Sequence, residues 1–245
     1  MDAIIGGTNL TSLPNLTDIR HETVKTPYGD PSAAIKIGKV GGKDVAFLPR
    51  HGDPHMLAPH KINYRANLWA LKQIGVTRVI GIATSGGIAP DFAAGVLAVP
   101  NQIIDYTYGR ENTYTDGTGD APVFHAEFTM PYTAKTRRAL IAAAAAANQP
   151  VFDGGCYACF NGPRLETAAE IRRLKNDGCD LVGMTGMPEA SLARELELEY
   201  AALCPIVNPA AGIGDSSEEI SRDFIRRTRE EAFQRVALIL AKFVA

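Results

Sequence analysis

The stretch "ALCPIVNPAAGIGDSSEE", residues 202–219, contains the transition that decides how this chain is built. A short apolar run of the kind that forms a buried strand stops at Asn208, and a loop of Pro, Ala and Gly follows. Ser216 and Glu219 then stand at the spacing of a capping box, which opens a terminal helix. Strand, loop and helix in succession are the unit of an α/β protein.

Working outward, similar apolar runs recur as "AIIGG" from Ala3, "VAFLPRHG" from Val45, "RVIGIATSGG" from Arg78, "GVLAVPNQIIDY" from Gly95, "VFDGGCYACF" from Val151 and "DLVGMT" from Asp180. Helical patterns lie between several of them: "INYRANLWALKQIG", closing on Gly75, the alanine-rich "TAKTRRALIAAAAAANQ", "ETAAEIRRLKNDG", closing on Gly178, and "MPEASLARELELEY" with Pro188 near its first turn. This alternation predicts a three-layer α/β/α domain spanning residues 1–245, with a largely parallel central sheet covered on both faces. The stretch 95–132 lacks a helical pattern and predicts a mixed sheet.

Composition narrows the partners. A net charge of −2 over 245 residues gives no basic field for nucleic acid. The N-terminus has no positively charged leader region, and no apolar run reaches bilayer length, so a soluble, cytoplasmic protein is expected. Cys156, Cys159, Cys179 and Cys204 lack the spacing of a secreted disulfide framework, and "CYAC" has neither a second ligand pair nor a helix start, so buried thiols in a reducing compartment are expected.

In open α/β sheets ligands bind beyond the C-terminal strand ends. Those ends are Gly7-Thr8-Asn9, Arg50-His51-Gly52, Thr84-Ser85-Gly86-Gly87, Asn161-Gly162-Pro163-Arg164, Gly183-Met184-Thr185 and Asn208. Glycines free backbone N–H groups to approach an anion, hydroxyls donate to it, and Arg50 offers a planar fork. The set reads as an oxyanion site. It contains neither the P-loop nor the dinucleotide fingerprint, so no nucleotide cofactor is implied. A serine hydrolase built on Ser85 with His51 or His125 lacks the G-x-S-x-G elbow, and His51, His55 and His60 lack metal-site spacing, so no metal is expected.

The segments "PRHGDPHMLAPHKINYRANLWALKQIGV", "MPYTAKTR", "NGPRLETAAEI" and "VGMTGMPEASLARE" resemble the trimeric purine nucleoside and methylthioadenosine phosphorylase family, nearly end to end. The resemblance implies the nucleoside phosphorylase fold, a homotrimer, no metal, and cleavage of an N-glycosidic bond by inorganic phosphate, a co-substrate rather than a cofactor. It implies a phosphate site of Thr8, Arg50, His51, Thr84 and Thr185, and substrate contacts from Ser85, Gly86, Leu165, Glu166 and Met184. His125, in "VFHAEFTMPY", matches a residue that the methylthio branch lends across the subunit interface to the neighbour's 5′ pocket.

The resemblance also places Asn208 at the base, where methylthioadenosine phosphorylases carry an Asp with a second Asp two residues on; here the second position is Ala210. An amide can hold a proton at purine N7 with its oxygen and donate to a 6-oxo group with its NH₂. Glu166 stands where 6-oxopurine phosphorylases carry a Glu, and a carboxylate can accept from N1–H. The expectation is phosphorolysis of a 5′-methylthio nucleoside with a 6-oxopurine base, with Asn208 as the catalytic group. The alternatives are a methylthioadenosine phosphorylase, a general 6-oxopurine nucleoside phosphorylase, and a nucleoside-binding module without catalysis.

Overall fold

The structure is a computed structural model that describes the chain apart from residues 8, 9, 11, 12, 14, 116, 118–121, 215–220 and 245. Among the described residues the strands are β1 (Asp2–Gly6), β2 (Thr17–Glu22), β3 (Ile35–Val40), β4 (Lys43–Pro49), β5 (Arg78–Ile82), β6 (Ser85–Gly87), β7 (Leu97–Val99), β8 (Gln102–Asp105), β9 (Phe152–Asp153), β10 (Cys156–Cys159), β11 (Leu181–Gly183) and β12 (Glu199–Pro209). The α-helices are α1 (Tyr64–Gln73), α2 (Ala134–Ala146), α3 (Ala168–Asn176), α4 (Gly186–Glu195) and α5 (Arg222–Val244).

The apolar runs are continuous because the central strands are buried on both faces. Ala3, Ile5, Ala46, Leu48, Val79, Ala202 and Cys204 join one core cluster, with α1 and α4, whereas Ile4, Val45, Phe47, Ile80, Ala201 and Leu203 join the other, with α2 and α5. Neighbouring residues thus serve opposite layers, as the two-residue period of a strand requires. The result is an α/β/α sandwich.

The sheet runs β2-β3-β4-β1-β5-β12-β6-β11-β10-β8, with β7 joining β12 to β9. Pairing is parallel from β4 through β1, β5 and β12 to β6, antiparallel between β6 and β11, and parallel again through β10 to β8, so the sheet is mixed. Val182 pairs with Gly86, which sets the end of β11 beside the start of β6. Ends of strands running in opposite directions therefore meet at the break between β5 and β6, residues 83–84.

Several elements depart from the expected boundaries. The Gly95 run is two strands separated at Pro100-Asn101, and the Val151 run is two strands separated by Gly154 and Gly155, both at positive φ. The final run does not stop at Asn208 but continues to Pro209, and it begins at Glu199, so "EY" belongs to β12 rather than to the preceding helix. β2 and β3 were not expected. β2 is exposed along most of its length and polar, so it presents no apolar signal, and it is held as an edge strand by antiparallel pairing to β3. Gly75 and Gly178 take positive φ just past α1 and α3, as their helix-closing role demands. The capping box of Ser216 and Glu219 lies outside the described residues.

Gly81, in the middle of β5, has no room for a side chain. A Cβ there would meet the Tyr200 hydroxyl and sit 2.7 Å from Glu189 Oε1. Gly81→Ala is therefore expected to destabilise the protein by about 1–3 kcal/mol, the usual cost of overpacking a core, visible as a lower urea midpoint at unchanged m-value. A wild-type midpoint would show that α4 can move away without loss.

Candidate active site

Residues from five of the six strand ends, all but Asn161-Gly162-Pro163-Arg164, line one cavity of about 210 Å³. Of the side chains singled out in the sequence, Arg50, His51, Thr84, Ser85, Gly86, Leu165, Glu166, Met184, Thr185 and Asn208 all line it. Thr8 lies outside the described residues, although its neighbour Gly7 is in the lining. His125 is not part of this cavity: it is exposed, in the non-helical segment between β8 and α2, beside Val123 and Phe124, which are also exposed.

One end of the cavity is organised by Arg50, which is only 1% exposed. Its Nε and Nη2 donate to Glu189 Oε2 and Oε1 at 2.6 and 2.8 Å, and its Nη1 donates to the Ile82 carbonyl at 2.8 Å. Tyr200 donates a further bond to Glu189 Oε1 at 2.8 Å. Burial alone would pull the guanidinium pKa down; the adjoining carboxylate more than reverses this, and the pKa is raised. The planar fork expected to clamp an anion is instead taken along its Nε/Nη2 edge by Glu189. Of five N–H groups, one on each terminal nitrogen remains for a ligand.

His51 is next to it, with Nδ1 2.8 Å from the Leu57 carbonyl. Burial holds its pKa down at about 4, helped by the Arg50 charge, so the ring is neutral near pH 7. A neutral ring that donates from Nδ1 to a carbonyl presents Nε2 as an acceptor. Two hydroxyls complete this end. Thr84 Oγ1 is buried with no partner among the described residues, and Thr185, although it is the N-cap of α4, makes no side-chain cap bond among them. Both are uncommitted groups of the type that an oxyanion satisfies.

The other end carries Asn208 and Glu166, each 9% exposed. Between Ile206 and Asn208 the pairing of β12 with β6 shifts by one residue, so Asn208 stands opposite Gly86. A bulge of this kind re-aims side chains at a site. Asn208 Nδ2 donates to the Pro209 carbonyl at 2.6 Å, which leaves one N–H and the amide oxygen for a ligand. Glu166 precedes α3 and does not cap it. Thr167 and Glu170 form the capping box, with bonds of 3.1 and 2.7 Å, and Arg164 is held by Glu170. Burial raises the Glu166 pKa to about 7.

Ser85 Oγ donates to the Ala83 carbonyl at 2.9 Å, and His51 is engaged with Leu57, so no Ser–His pair exists among the described residues. Cys156 and Cys159 are three residues apart on β10, so they face opposite layers: Cys159 packs with the core beneath α1 and α4, Cys156 with the cluster around Cys179. All four cysteines are free, and among the described residues no three metal-ligating side chains converge and no helix is long and apolar enough to cross a membrane. Sequence reasoning missed Glu189 and Tyr200, which act on Arg50 from behind, and Ile225 and Arg229, which bring α5 to the cavity. In the sequence Glu189 is only an acid in the first turn of a helix, an ordinary placement.

Fold and cavity together define an α/β protein with an anion-accepting end and a polar, amide-and-carboxyl end in one cleft. The chain belongs to the phosphorylase superfamily, whose family model matches residues 2–245. A relative from Xanthomonas campestris pv. campestris, named a probable S-methyl-5′-thioinosine phosphorylase, is 53% identical over 216 residues, covering 88% of this chain and 86% of its own. The 6-oxopurine nucleoside phosphorylase of Pyrococcus furiosus is 44% identical over 244 residues, 98% of this chain and 90% of its own. Among solved structures, a methylthioadenosine phosphorylase from an antarctic soil metagenomic library superposes with a TM-score of 0.92 at 32% identity, covering 99% of this chain and 84% of that one.

The buried Arg50–Glu189 pair is testable by itself. Removing one partner of such a pair leaves an uncompensated charge, so Glu189→Gln is expected to cost about 3–5 kcal/mol and to lower the Tm by several degrees. A Tm equal to that of the wild type would show that Arg50 is compensated by other groups.

Proposed function

We propose that the chain is a purine nucleoside phosphorylase whose substrate is 5′-methylthioinosine, yielding hypoxanthine and 5-methylthioribose 1-phosphate. The observation that carries this reading is the pair of buried side chains at the base end, an amide at Asn208 and a carboxyl at Glu166, facing the same cavity. Inorganic phosphate is the co-substrate, no other cofactor is required, and the 245 residues act as one catalytic domain. The names of the Xanthomonas and Pyrococcus relatives support a 6-oxopurine base.

In the reaction the C1′–N9 bond breaks with its electron pair leaving on the purine, and a phosphate oxygen forms the new bond to C1′. Charge separates in the transition state, so fixed dipoles and charges at both ends are the chief lever. Arg50, His51, Thr84 and Thr185, with Thr8, hold the phosphate below the sugar. Ser85, Gly86 and Leu165 bound the nucleoside, and Met184 packs against the ribose. Asn208 Oδ1 accepts from the purine protonated at N7, which makes the base a better leaving group, and its remaining N–H donates to O6. Glu166 accepts from N1–H. Adenine presents an amino group and a bare N1 at these positions, and each mismatched buried pair costs about 1–3 kcal/mol, so the two together discriminate by roughly two to four orders of magnitude.

The 5′ side of the reading is supported by the resemblance and by the apolar Ile225 in the cavity wall. The assembly is proposed to be a homotrimer in the cytoplasm, with no nucleic-acid or membrane partner. The exposed Val123 and Phe124 then find cover at a subunit interface, and His125 reaches the neighbour's 5′ pocket, which is why it need not line its own.

A side-by-side comparison of methylthioinosine, methylthioadenosine, inosine and guanosine with phosphate tests both ends of the pocket. Methylthioinosine is expected to give the highest kcat/KM, and Asn208→Asp to reduce 6-oxopurine turnover while gaining some on 6-aminopurines. Faster cleavage of methylthioadenosine by the wild type would overturn the base assignment; equal use of inosine would overturn the 5′ assignment. With neither cleaved, the binding-module reading would stand.

Glu166 also sets a pH dependence. The carboxylate accepts from N1–H in a charge-assisted bond about twice as strong as the neutral acid can make, so kcat/KM for 6-oxopurine nucleosides should rise as pH increases through about 7. Glu166→Gln, whose amide oxygen accepts at every pH, is expected to lose that inflection. A profile identical to the wild type's would assign the inflection to another group.

A further inference from the structure

The charges lining the cleft do not suit an anion unless one more residue takes part. Its ionisable lining consists of Arg50, His51, Glu166 and Arg229. Arg50 is neutralised by the Glu189 carboxylate at 2.6 Å, and Glu166 contributes negative charge or none. His51 is neutral. Arg229 is the remaining cation.

Arg229 lies on α5, four residues after Ile225, so the two share a helix face, and both reach the cavity wall. Its neighbour Arg226 is paired with Asp223 and Glu230 at 3.4 and 3.8 Å. Arg229 is half-buried and makes no ion pair or hydrogen bond among the described residues. Its place in the cleft is also given by its effects. The His55 pKa is lowered first by burial and then by the Arg229 charge, and the His55 ring stacks on His51 with centroids 4.3 Å apart. The guanidinium is thus near His55, whose ring stacks on the cavity residue His51, and no carboxylate of the described residues pairs with it.

We propose that Arg229 is the residue that captures inorganic phosphate: it provides the net positive charge of the cleft, while Arg50, locked against Glu189, provides fixed N–H donors. This rests on the phosphorolysis reading above. Division of the two tasks follows from geometry. Arg50 cannot turn to meet an incoming anion without abandoning Glu189, whereas Arg229, on a long side chain with no ion-pair partner among the described residues, can. A guanidinium approaching a phosphate dianion forms charge-assisted hydrogen bonds, about twice the strength of neutral ones.

The test is calorimetric titration of inorganic phosphate into the full-length protein without nucleoside. Arg229→Met keeps an apolar stem and removes the charge; it is expected to bind phosphate about tenfold more weakly or worse, and Arg229→Lys to recover most of the loss. Added salt should weaken binding to the wild type more than to Arg229→Met. Arg226→Met, on the same helix but paired and exposed, should bind as the wild type does. In turnover, KM for phosphate should rise more than KM for the nucleoside. Unchanged phosphate affinity in Arg229→Met, an equal loss in Arg226→Met, or a rise confined to the nucleoside KM would overturn the proposal. Because the titration needs no turnover, a protein that binds phosphate through Arg229 yet cleaves no purine nucleoside would uphold this assignment and refute phosphorolysis.

Discussion

The site depends on a buried ion pair. Arg50 at the end of β4 and Glu189 in α4 are 139 residues apart in the chain and almost wholly removed from water. Two charges in such a place are tolerable only if their hydrogen-bonding capacity is met. Here Glu189 receives two bonds from Arg50 and one from Tyr200, and Arg50 gives its third to the Ile82 carbonyl. Meeting that condition requires β4, β5, β12 and α4 to be in register at one point. It accounts for a glycine at position 81, and it anchors the helix whose preceding residue, Thr185, carries a hydroxyl into the cleft.

The same pair limits what Arg50 can do. A guanidinium held bidentately by a carboxylate is an oriented donor with little net charge to offer. Orientation is worth more in a transition state than in solution, because donors already in place pay no reorganisation cost when charge develops. The arrangement separates rigid positioning, supplied by the sheet, from net attraction, supplied by the terminal helix.

How much of this was legible in the sequence follows from what kind of signal each part leaves. Strands buried on both faces leave uninterrupted apolar runs, and helices that close on glycine leave a stop, so the three layers could be read. β2 could not, because a polar edge strand has the composition of a loop and is defined by its pairing to β3. The cavity residues on strand ends were legible since the architecture itself puts ligands there. Glu189 and Tyr200 were not: an acid in a first helical turn and a tyrosine in a strand are ordinary, and only their meeting at Arg50 gives them a role. Arg229 was hidden for a similar reason, being one of several arginines on an amphipathic helix until the cavity wall singles it out.

The base end works by a different logic from the anion end. The amide of Asn208 and the carboxyl of Glu166 are brought together by a bulge in β12 and by a loop whose capping duty Glu170 has taken over. The helix is capped without Glu166, and Asn208 holds only the carbonyl of its own chain neighbour Pro209. Side chains relieved of structural work are free to change without unfolding the protein, and hydrogen-bond readout is the type of recognition in which one exchanged atom reverses a preference. A protein named for an aminopurine nucleoside, the metagenomic methylthioadenosine phosphorylase, shares this fold. In this chain the buried polar atoms at the base end are one oxygen acceptor and one N–H on Asn208 and a carboxyl at Glu166 whose burial makes its charge responsive near neutral pH.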